Sequence, residues 1–469
     1  MQAQYCLTEK FGSFLRILSA HRTAVIIILL LALTCRAVLT FRFPLVGPDE
    51  RRYTVPAVNM LAGRGFSVSL DPPYVPSKQA MPLYPLFIAG VYAVFGRNNV
   101  AVRIAQDLLD LITCVLVAFV SFGLAPMRVR YAAAIAALTI YGFLSWFTLH
   151  WTRFVLTETL AVFLTTLAIA TAVLAMERRW FWAVAGGVCG LALLTRGDSL
   201  LLIGAFGLFL MFQIARTRSL ASAGSLLMFS AAICLVMAPW VIRNYIRFGK
   251  LEPLASEYGF ARDQEMPVGY LSWIRTWMTD ETHFQAFLPA FAHQSFNPDE
   301  LPDDIFDSPE EKVRVVKLLE ARNEGGGLTA EMSNEFREIA NDRIRRDPLR
   351  FYVWLPIKRI GSCWLTSFST YHRPFRFLRI ILVLPIVIGG LLGMAFFAGS
   401  RPLNQLVVLI IVIRSAFLGY FYAPEARYIV EAYPAMIAAC GVTVAVTWRY
   451  LVKRTVSSRR EKGISARAN

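Results

Sequence analysis

Cysteine and histidine are scarce in this chain, and neither residue type has the spacing of disulfides or of metal ligands. The 469 residues include seven cysteines and five histidines. The cysteines form no CxxC pair and show no even spacing, so we expect neither a disulfide framework nor a structural zinc site. The five histidines also lack the spacing of metal ligands. The architecture must therefore be sought in the apolar residues.

The first long apolar segment lacks the features of a removable signal. Residues Thr23 to Phe41 read TAVIIILLLALTCRAVLTF, which is long enough to cross a hydrocarbon core that takes roughly 20 residues. The segment is too long for a signal peptide, and no small-x-small cleavage site follows it cleanly. We therefore expect a retained membrane span.

Long apolar blocks recur along the rest of the chain. Hydrophobic residues make up 56% of the sequence and the mean hydropathy is +0.50, more apolar than is usual for a soluble globular protein. Together with the first segment, these blocks predict an all-α multispanning membrane protein of roughly ten spans. The further blocks lie at about 101–124, 131–149, 154–176, 180–195, 199–215, 220–240, 378–398, 403–421 and 428–449.

The charge of +16 is interpreted through the same topology. A basic chain can indicate nucleic-acid binding, but in a multispanning protein it is more typical of cytoplasmic loops and contact with anionic lipid. Lysine and arginine are concentrated in the N-terminal segment, in alternate short loops and in the C-terminal tail. Placing all of them inside puts both termini in the cytoplasm, so we expect a bilayer and no nucleic acid as partner.

Two apolar segments do not fit this alternation as spans. Met81–Phe95 is short and holds two prolines, and Phe351–Phe368 contains Lys358 and Arg359. We predict that both are interfacial or partly inserted helices on the outer side. The alternative is that both cross the membrane, which raises the count to twelve and leaves the termini inside. The middle of the chain would then be inverted relative to its basic loops.

Charged residues recur in the connections predicted at the outer face. They occur in GPDERRY (47–53), HWTRFVLTE (150–158), TRGD (195–198), PWVIRNYIRFG (239–249) and PEARYIVE (424–431). Such residues usually belong to solvated loops or serve as lipid anchors. Charge at a membrane boundary is costly, however, so charged side chains that come together at one face indicate function. Glu158 and Arg427 adjoin apolar runs and need partners or a watery cavity. Arg36 and Arg414 lie deep in predicted spans and are better explained as buried ion-pair or backbone-capping residues.

An ordered set of these motifs resembles a known family. The chain resembles the C-type, polyprenyl-phosphate-sugar-dependent glycosyltransferases, in particular the family 39 group with the protein O-mannosyltransferases and the lipid A aminoarabinose transferases. The resemblance implies the C-type glycosyltransferase fold. It also implies transfer of a sugar, with inversion, from a polyprenyl phosphate such as undecaprenyl phosphate to an acceptor hydroxyl on the outer side. It rests, in order, on GPDERRYTVPAVNMLAGRG, KQAMPLYPLFIAGVYAVFG, the TE of LTETLAVFL, LLTRGDSLLL, APWVIRNYIRFG and EARYIVEAYP.

The resemblance also implies roles for individual residues. Asp49 matches the family's catalytic acid in the loop after the first span, and Glu50 is its rival as general base. Lys78, just before the proline-rich segment, and Arg427, in the RY motif, are the first choices for binding the donor phosphate. Second choices for the phosphate are Arg52 and Arg243, although Arg52 on a helix would also reach Asp49.

Glu158 matches the family's second acidic position, where it would bind sugar or acceptor or help to hold a divalent cation. Tyr53 and Tyr428, beside these motifs, join it as candidate sugar or acceptor contacts. The position is a Glu in a TE pair and not an Asp-x-Asp, so the metal is unknown and no cofactor beyond a possible divalent cation is assigned.

The local structure around Asp49 leaves two alternatives. Pro48, Asp49 and Glu50 are typical of a helix start, where carboxylates are favoured by the helix dipole. Pro56 argues against one continuous helix from Pro48. A start with Thr54 as N-cap would instead leave Asp49 on a loop. Gly63 and Gly65 end the helix in either case.

The predicted organisation has five parts. These are a cytoplasmic N-terminal segment (1–22), a membrane catalytic core (23–249) with a first outer loop (42–100), an extracytoplasmic loop (250–350), an interfacial helix with the C-terminal spans (351–449), and a basic cytoplasmic tail (450–469). In the extracytoplasmic loop, DELPDDIFDSPEEKVRVVKLLEARN predicts a helix that EGGG, Glu324–Gly327, breaks. The loop is a modest insert without an obvious repeat.

Two other classes compete with a glycosyltransferase. A transporter or flippase of polyprenyl-linked or lipid substrates also has many spans and intramembrane charge, but it more often shows broken helices in repeated halves. A non-catalytic scaffold does not explain the embedded Glu158 and Arg427.

The resemblance implies that the protein lies in a bacterial plasma (inner) membrane with a periplasmic site and acts in cell-envelope or lipopolysaccharide biogenesis. The acceptor, whether lipid, glycan or protein, and the sugar stay open.

Overall fold

The computed structural model describes residues 9–47, 49–254, 268–280, 301–325, 327–366, 373–421 and 425–468. Within these ranges the regular elements are helices, and the one strand-like pairing is an isolated bridge between Ser67 and Pro76. The predicted all-α class is therefore confirmed. The chain forms two compact units, the first made of Met1–Leu254, Leu384–Ile411 and Glu431–Asn469, the second of Ala255–Val383 and Val412–Val430.

Eighteen α-helices are numbered here in chain order over the described residues. The first eleven are α1 (Glu9–Ala20), α2 (Arg22–Arg42), α3 (Glu50–Leu61), α4 (Leu83–Phe95), α5 (Asn99–Leu124), α6 (Arg130–Thr139), α7 (Trp146–Trp151), α8 (Glu158–Ala175), α9 (Phe181–Thr195), α10 (Leu200–Thr217) and α11 (Leu220–Phe248). The others are α12 (Val268–Ile274), α13 (Pro309–Gly325), α14 (Ala330–Arg346), α15 (Leu355–Gly361), α16 (Arg373–Leu392), α17 (Arg401–Tyr420) and α18 (Tyr433–Ala468).

Nine helical segments in the described part of the chain are long and apolar enough to cross a membrane. They coincide with nine of the ten predicted blocks. The tenth block, near 180–195, is the shorter apolar helix α9. The protein is an integral membrane protein, as the hydropathy pattern predicted.

The two segments that did not fit the alternation are both short helices. Met81–Phe95 contains α4, whose 13 residues rise about 20 Å, less than the ~30 Å of a hydrocarbon core. The described part of Phe351–Phe368 is divided between a π-helical turn (Arg350–Trp354), α15 and a second π-helical turn (Ser362–Thr366). These lengths favour interfacial segments over two additional spans.

Helix α3 corrects one expectation about the loop after the first span. It begins at Glu50, with Asp49 in the N-cap position, and continues through Pro56 to Leu61. The Thr54 hydroxyl donates to the Glu50 carbonyl (3.0 Å) inside the helix. The expectation that Pro56 or a cap at Thr54 would divide this segment was wrong. Proline lacks a backbone N–H, and the packing around α3 tolerates the loss of this one hydrogen bond. Gly63 follows with φ of +72°, so the predicted glycine end is confirmed.

The arginines deep in the spans have structural partners, as expected. The fully buried Arg36 donates through Nε to Asp110 (2.8 Å) and through Nη1 to the Ala32 carbonyl (3.0 Å). The Tyr141 hydroxyl donates to the second oxygen of Asp110 (2.6 Å). In the second unit, Arg414 Nε donates to the Tyr428 carbonyl (2.7 Å). These buried hydrogen bonds and ion pairs hold neighbouring segments of the chain together.

The second unit has its own core in the predicted extracytoplasmic loop. Aromatic residues of α12 pack on α14, with Tyr270, Trp273 and Phe336 fully buried. The helix predicted in the acidic stretch is α13, and it ends at Gly325 within the glycine run. Residues 255–267 and 281–300 of this loop lie outside the described residues.

Candidate active site

Three of the four predicted phosphate-binding cations meet at the tripeptide Ser77–Gln79 in the first unit. Arg243 of α11 donates to the Ser77 carbonyl (3.1 Å). Arg52 of α3 donates through Nε to the Gln79 carbonyl (2.6 Å). Lys78 lies between these two carbonyls in the chain, with Nζ 4.7 Å from the centre of the Phe248 ring. We call Arg52, Lys78 and Arg243 the cationic cluster.

The chain reaches this position because residues 62–82 form no helix. The Asn59 amide donates to the carbonyls of Ser67 (2.8 Å) and Ser69 (2.9 Å), which fixes the loop against α3. The Ser77 N–H then donates to the Phe66 carbonyl (3.0 Å). The prolines of DPPYVP (71–76) oppose helix formation. The loop therefore turns back and places Lys78 beside α3 and α11.

Lys78 already has a carboxylate partner. Its Nζ forms an ion pair with Glu252, and the two side chains are 14% and 25% exposed. Glu252 follows α11, and its carbonyl accepts from the Asn244 amide (2.8 Å). The Arg243 guanidinium also donates to the Asn244 side-chain oxygen (2.8 Å). The cationic cluster thus has an acidic neighbour, Glu252, that the sequence did not assign to it.

A second group of charges surrounds Arg196, at the connection between α9 and α10. Its Nη1 donates to Glu158 Oε1 (3.0 Å), and its Nε and Nη2 contact the two oxygens of Asp198 (3.0 and 3.1 Å). Glu431, just before α18, lies 3.1 Å from Nε. Glu158 and Glu431 are each 2% exposed. We call Glu158, Arg196, Asp198 and Glu431 the Arg196 cluster.

The Arg196 cluster holds three carboxylates and one guanidinium. Burial alone would lower the pKa of Arg196, but Asp198, Glu158 and Glu431 together raise it well above its ordinary value. The arginine therefore stays charged and compensates part of the negative charge. Across the described residues, no group of three or more His, Cys, Asp or Glu side chains is arranged to hold a metal ion. The predicted help of Glu158 to a divalent cation stays a prediction.

Tyr53 connects the predicted acids. Burial raises the pKa of the Tyr53 phenol to about 12; Glu158 and Asp49 add to this shift, while Arg52 and Arg196 oppose it. The phenol thus lies within electrostatic range of Asp49 and of the Arg196 cluster. Its ring packs edge-on against Tyr84 at 5.3 Å. Two predicted acids, Asp49 and Glu158, therefore both influence the Tyr53 phenol.

The two adjacent carboxylates of α3 differ in environment. Glu50 is 8% exposed, and its Oε1 accepts a hydrogen bond from the Asn99 amide while Oε2 has no hydrogen-bond partner. Burial raises the pKa of Glu50, with Arg103 opposing the shift. Asp49 is partly exposed and makes no side-chain cap to the helix. Asp49 is therefore the more accessible of the two to an incoming hydroxyl.

The loop that carries Asp49 is held by the connection that leads into α8. The Leu45 N–H donates to the Arg153 carbonyl (3.3 Å), and Arg103 donates to the carbonyls of Arg153 (2.8 Å) and Leu45 (3.2 Å). Gly47 lies against Leu156, whose side chain would be 3.1 Å from an added Cβ. These contacts hold the loop that carries Asp49 against the connection that leads to Glu158, although the two segments are far apart in sequence.

Arg427 and Tyr428 belong to the second unit. Arg427 Nε pairs with Glu425 (2.8 Å), and its guanidinium carbon lies 5.2 Å from the centre of the Tyr428 ring. Their assignment to phosphate and sugar stays a prediction of the resemblance.

Sequence reasoning missed three residues of the Arg196 cluster. Arg196, Asp198 and Glu431 lie in the TRGD and PEARYIVE connections, which the sequence identified only as charged. The available signal was Glu158, whose apolar flanks required a partner. The partners come from two distant loops, so their pairing appears only in the fold.

Part of this chain matches a known protein family. Residues 76–242 match the family model of dolichyl-phosphate-mannose-protein mannosyltransferases. That range includes Lys78, Glu158, Arg196 and Asp198. A comparison with curated proteins gave no match.

Solved structures of two membrane proteins match this chain at low sequence identity. ArnT from Cupriavidus metallidurans is 15% identical with a TM-score of 0.40, both in the apo state and bound to undecaprenyl phosphate. Those two matches cover 91% and 90% of this chain and 77% of each ArnT chain. An Archaeoglobus fulgidus oligosaccharyltransferase, tethered with an acceptor peptide containing the NVT sequon, is 13% identical with a TM-score of 0.52. That match covers 91% of this chain and 50% of the archaeal one.

The helical membrane fold, the family-model match over 76–242 and the oligosaccharyltransferase-like architecture agree with one another. They agree with the C-type fold that the ordered motifs implied, and the similarity to the family model extends over residues 76–242 of this chain.

Proposed function

We propose that this protein is an inverting glycosyltransferase that moves a sugar from a polyprenyl-phosphate donor to an acceptor hydroxyl at the outer face of the membrane. The observation that carries the proposal is that α3 brings a carboxylate and the cationic cluster together. Asp49 lies at the N-cap of α3, and Arg52 in the first turn of the same helix donates to the Gln79 carbonyl beside Lys78. A phosphate leaving group and a hydroxyl nucleophile need this pairing of cations with carboxylates.

The reaction assigns a task to each group. The acceptor oxygen forms a bond to the anomeric carbon while the bond from that carbon to the phosphate oxygen breaks. The hydroxyl proton passes to a carboxylate. The bond's electron pair leaves with the polyprenyl phosphate, whose increased negative charge the cationic cluster stabilises. Attack opposite the leaving group inverts the anomeric centre.

Asp49 is proposed as the general base, with Glu50 as its rival. Asp49 is the more exposed, so its carboxylate can reach the acceptor hydroxyl without a prior rearrangement. Glu50 is buried, is tied to Asn99, and has a raised pKa, which suits a positioning role or a proton reservoir. Glu158 is held by Arg196 and is proposed to orient the sugar or the acceptor.

The location and the partners belong to the same proposal. The charged connections of the predicted outer face are proposed to lie in the periplasm of a bacterial inner membrane, where a polyprenyl-phosphate sugar is used for envelope or lipopolysaccharide synthesis. A lipid, a glycan or a protein hydroxyl would serve as acceptor. Replacing Lys312 of α13, whose side chain is 43% exposed, with cysteine tests the sidedness. An impermeant thiol reagent should label it in intact cells, and labelling only after lysis would reverse the topology.

The activity is tested by comparing envelope glycolipids and sugars of host cells with and without the chain. A sugar modification should appear with the wild-type protein and be almost absent with Asp49→Asn at equal membrane abundance. Asp71→Asn, a change in the same outer loop, should keep the modification. Normal modification with Asp49→Asn would exclude Asp49 as base. If Glu50→Gln abolished it instead, the role would pass to the neighbour.

A further inference from the structure

The Lys78–Glu252 ion pair has no role in the proposed transfer, although it occupies the lysine that the donor phosphate needs. Within the first unit, Glu252 reaches Lys78 from the segment after α11, about 170 residues away in sequence. Its backbone is fixed by Asn244, next to Arg243. The pair is therefore built between the loop that carries Lys78 and the helix end that carries Arg243.

The geometry assigns to the Glu252 carboxylate the position beside Lys78 that an anionic ligand would take. A carboxylate and a phosphate present the same kind of acceptor oxygen to an ammonium group, and each can satisfy Lys78. Lys78 is a flexible point charge, so it can exchange partners without moving the backbone. Arg243 and Arg52 are bound to carbonyls of the Ser77–Gln79 segment, which leaves the cluster preformed around Lys78.

We propose that Glu252 is an internal counter-anion that competes with the polyprenyl phosphate for Lys78 and so sets the affinity of the site for donor and product. Donor binding transfers Lys78 from the carboxylate to the phosphate, and product release returns it. The inference rests on the proposed function through the phosphate role of Lys78.

The charges of donor and product make the competition unequal. A polyprenyl-phosphate sugar is a phosphodiester with one negative charge. The released polyprenyl phosphate is a monoester with about −1.5 to −2 at neutral pH, like other phosphate monoesters. A nearby carboxylate repels the second more strongly than the first. Glu252 therefore promotes product release more than it opposes donor binding.

The magnitude follows from the exposure of the pair. Both side chains keep some contact with water, at 14% and 25%, so the competing ion pair is of the modest, partly solvated kind. Removing such a competitor should tighten phosphate binding roughly two- to fivefold. The neutral alcohol of the same chain has no phosphate, so its affinity should not change.

The experiment measures binding of undecaprenyl phosphate and of undecaprenol to the full-length protein in detergent. The variants are Glu252→Gln, Glu252→Asp, Lys78→Ala and the double variant Lys78→Ala with Glu252→Gln. Glu177→Gln is the matched control, because Glu177 pairs with Lys10 at a similar exposure of 22% for each side chain. Unfolding temperatures without ligand show that each variant is folded.

We expect Glu252→Gln to bind undecaprenyl phosphate two- to fivefold more tightly, with Glu252→Asp and Glu177→Gln close to the wild type. Lys78→Ala should bind more weakly, and adding Glu252→Gln to Lys78→Ala should tighten binding less than Glu252→Gln does alone, since the competition for that lysine is then gone and only the direct repulsion is removed. Undecaprenol should bind all variants alike. In turnover, Glu252→Gln should lower the KM for donor and increase inhibition by undecaprenyl phosphate.

Two outcomes overturn the inference in different ways. If Lys78→Ala binds more weakly but Glu252→Gln binds no more tightly than the wild type, the phosphate role of Lys78 stands and the counter-anion is refuted. If Lys78→Ala binds undecaprenyl phosphate as the wild type does, the proposed donor site itself fails and the inference fails with it. If Glu252→Gln does not fold, tighter binding by a folded Glu252→Ala supports the proposal, and unchanged binding by it refutes the proposal.

Discussion

Replacing Arg196 with methionine removes a guanidinium that contacts three carboxylates. Glu158 and Glu431, each 2% exposed, would then lie in a buried setting without this cationic partner. Asp198 is better placed, because its side chain is 17% exposed and retains water. Methionine fills a similar volume, so the loss is mainly electrostatic.

The expected cost follows from burial. Breaking a buried ion pair by removing one partner typically costs about 3–5 kcal/mol. Asp198 should contribute little to this because it is nearer the surface, so the two buried glutamates set the value. Adding Glu431→Gln to Arg196→Met should restore part of the loss, because one uncompensated buried charge then disappears.

The assay is reversible unfolding in mixed detergent micelles, followed by circular dichroism. Arg216→Met is the control, because Arg216 is exposed at the last turn of α10, and surface changes usually stay within about 0.5 kcal/mol. An Arg196→Met protein as stable as the control would refute the argument that Arg196 compensates buried charge. So would a double variant that is less stable than the single one.

The remaining predictions concern Glu50 and the packing of α9. Burial raises the folded-state pKa of Glu50 above its ordinary value of 4.5, so its stabilising contribution is complete below pH 4.5 and is lost as the pH rises through the raised pKa. Glu50→Gln should therefore lose less stability than the wild type as the pH rises from 4.5, and equal pH profiles in unfolding would contradict this. Gly186→Ala would place a Cβ 2.2 Å from the Phe229 carbonyl oxygen of α11 and should cost about 1–3 kcal/mol or more. Gly187→Ala meets no atom within 4 Å and should leave the unfolding free energy nearly unchanged; similar losses in both variants would exclude helix packing as the cause.

The sequence was sufficient for the spans because their cause is local. A run of about 20 apolar residues buries its backbone polar groups in a helix wherever it meets lipid. The ten predicted blocks all lie on helices for this reason. The same locality explains why the glycines after α3 marked its end. Pro56 was misjudged because the cost of one missing N–H is local, while the packing that offsets it is not.

The sequence alone also determined the kinds of residue at the candidate site and the order of their motifs. It singled out Asp49, Lys78 and Glu158, and it required a partner for Glu158. Only the tertiary structure decided that this partner is Arg196, that Asp198 and Glu431 share it, and that Glu252 holds Lys78. Most of these pairs join charged side chains that come from different connections between the helices. Hydropathy and motif order carry no information about which connections meet, because that is set by how the helices pack.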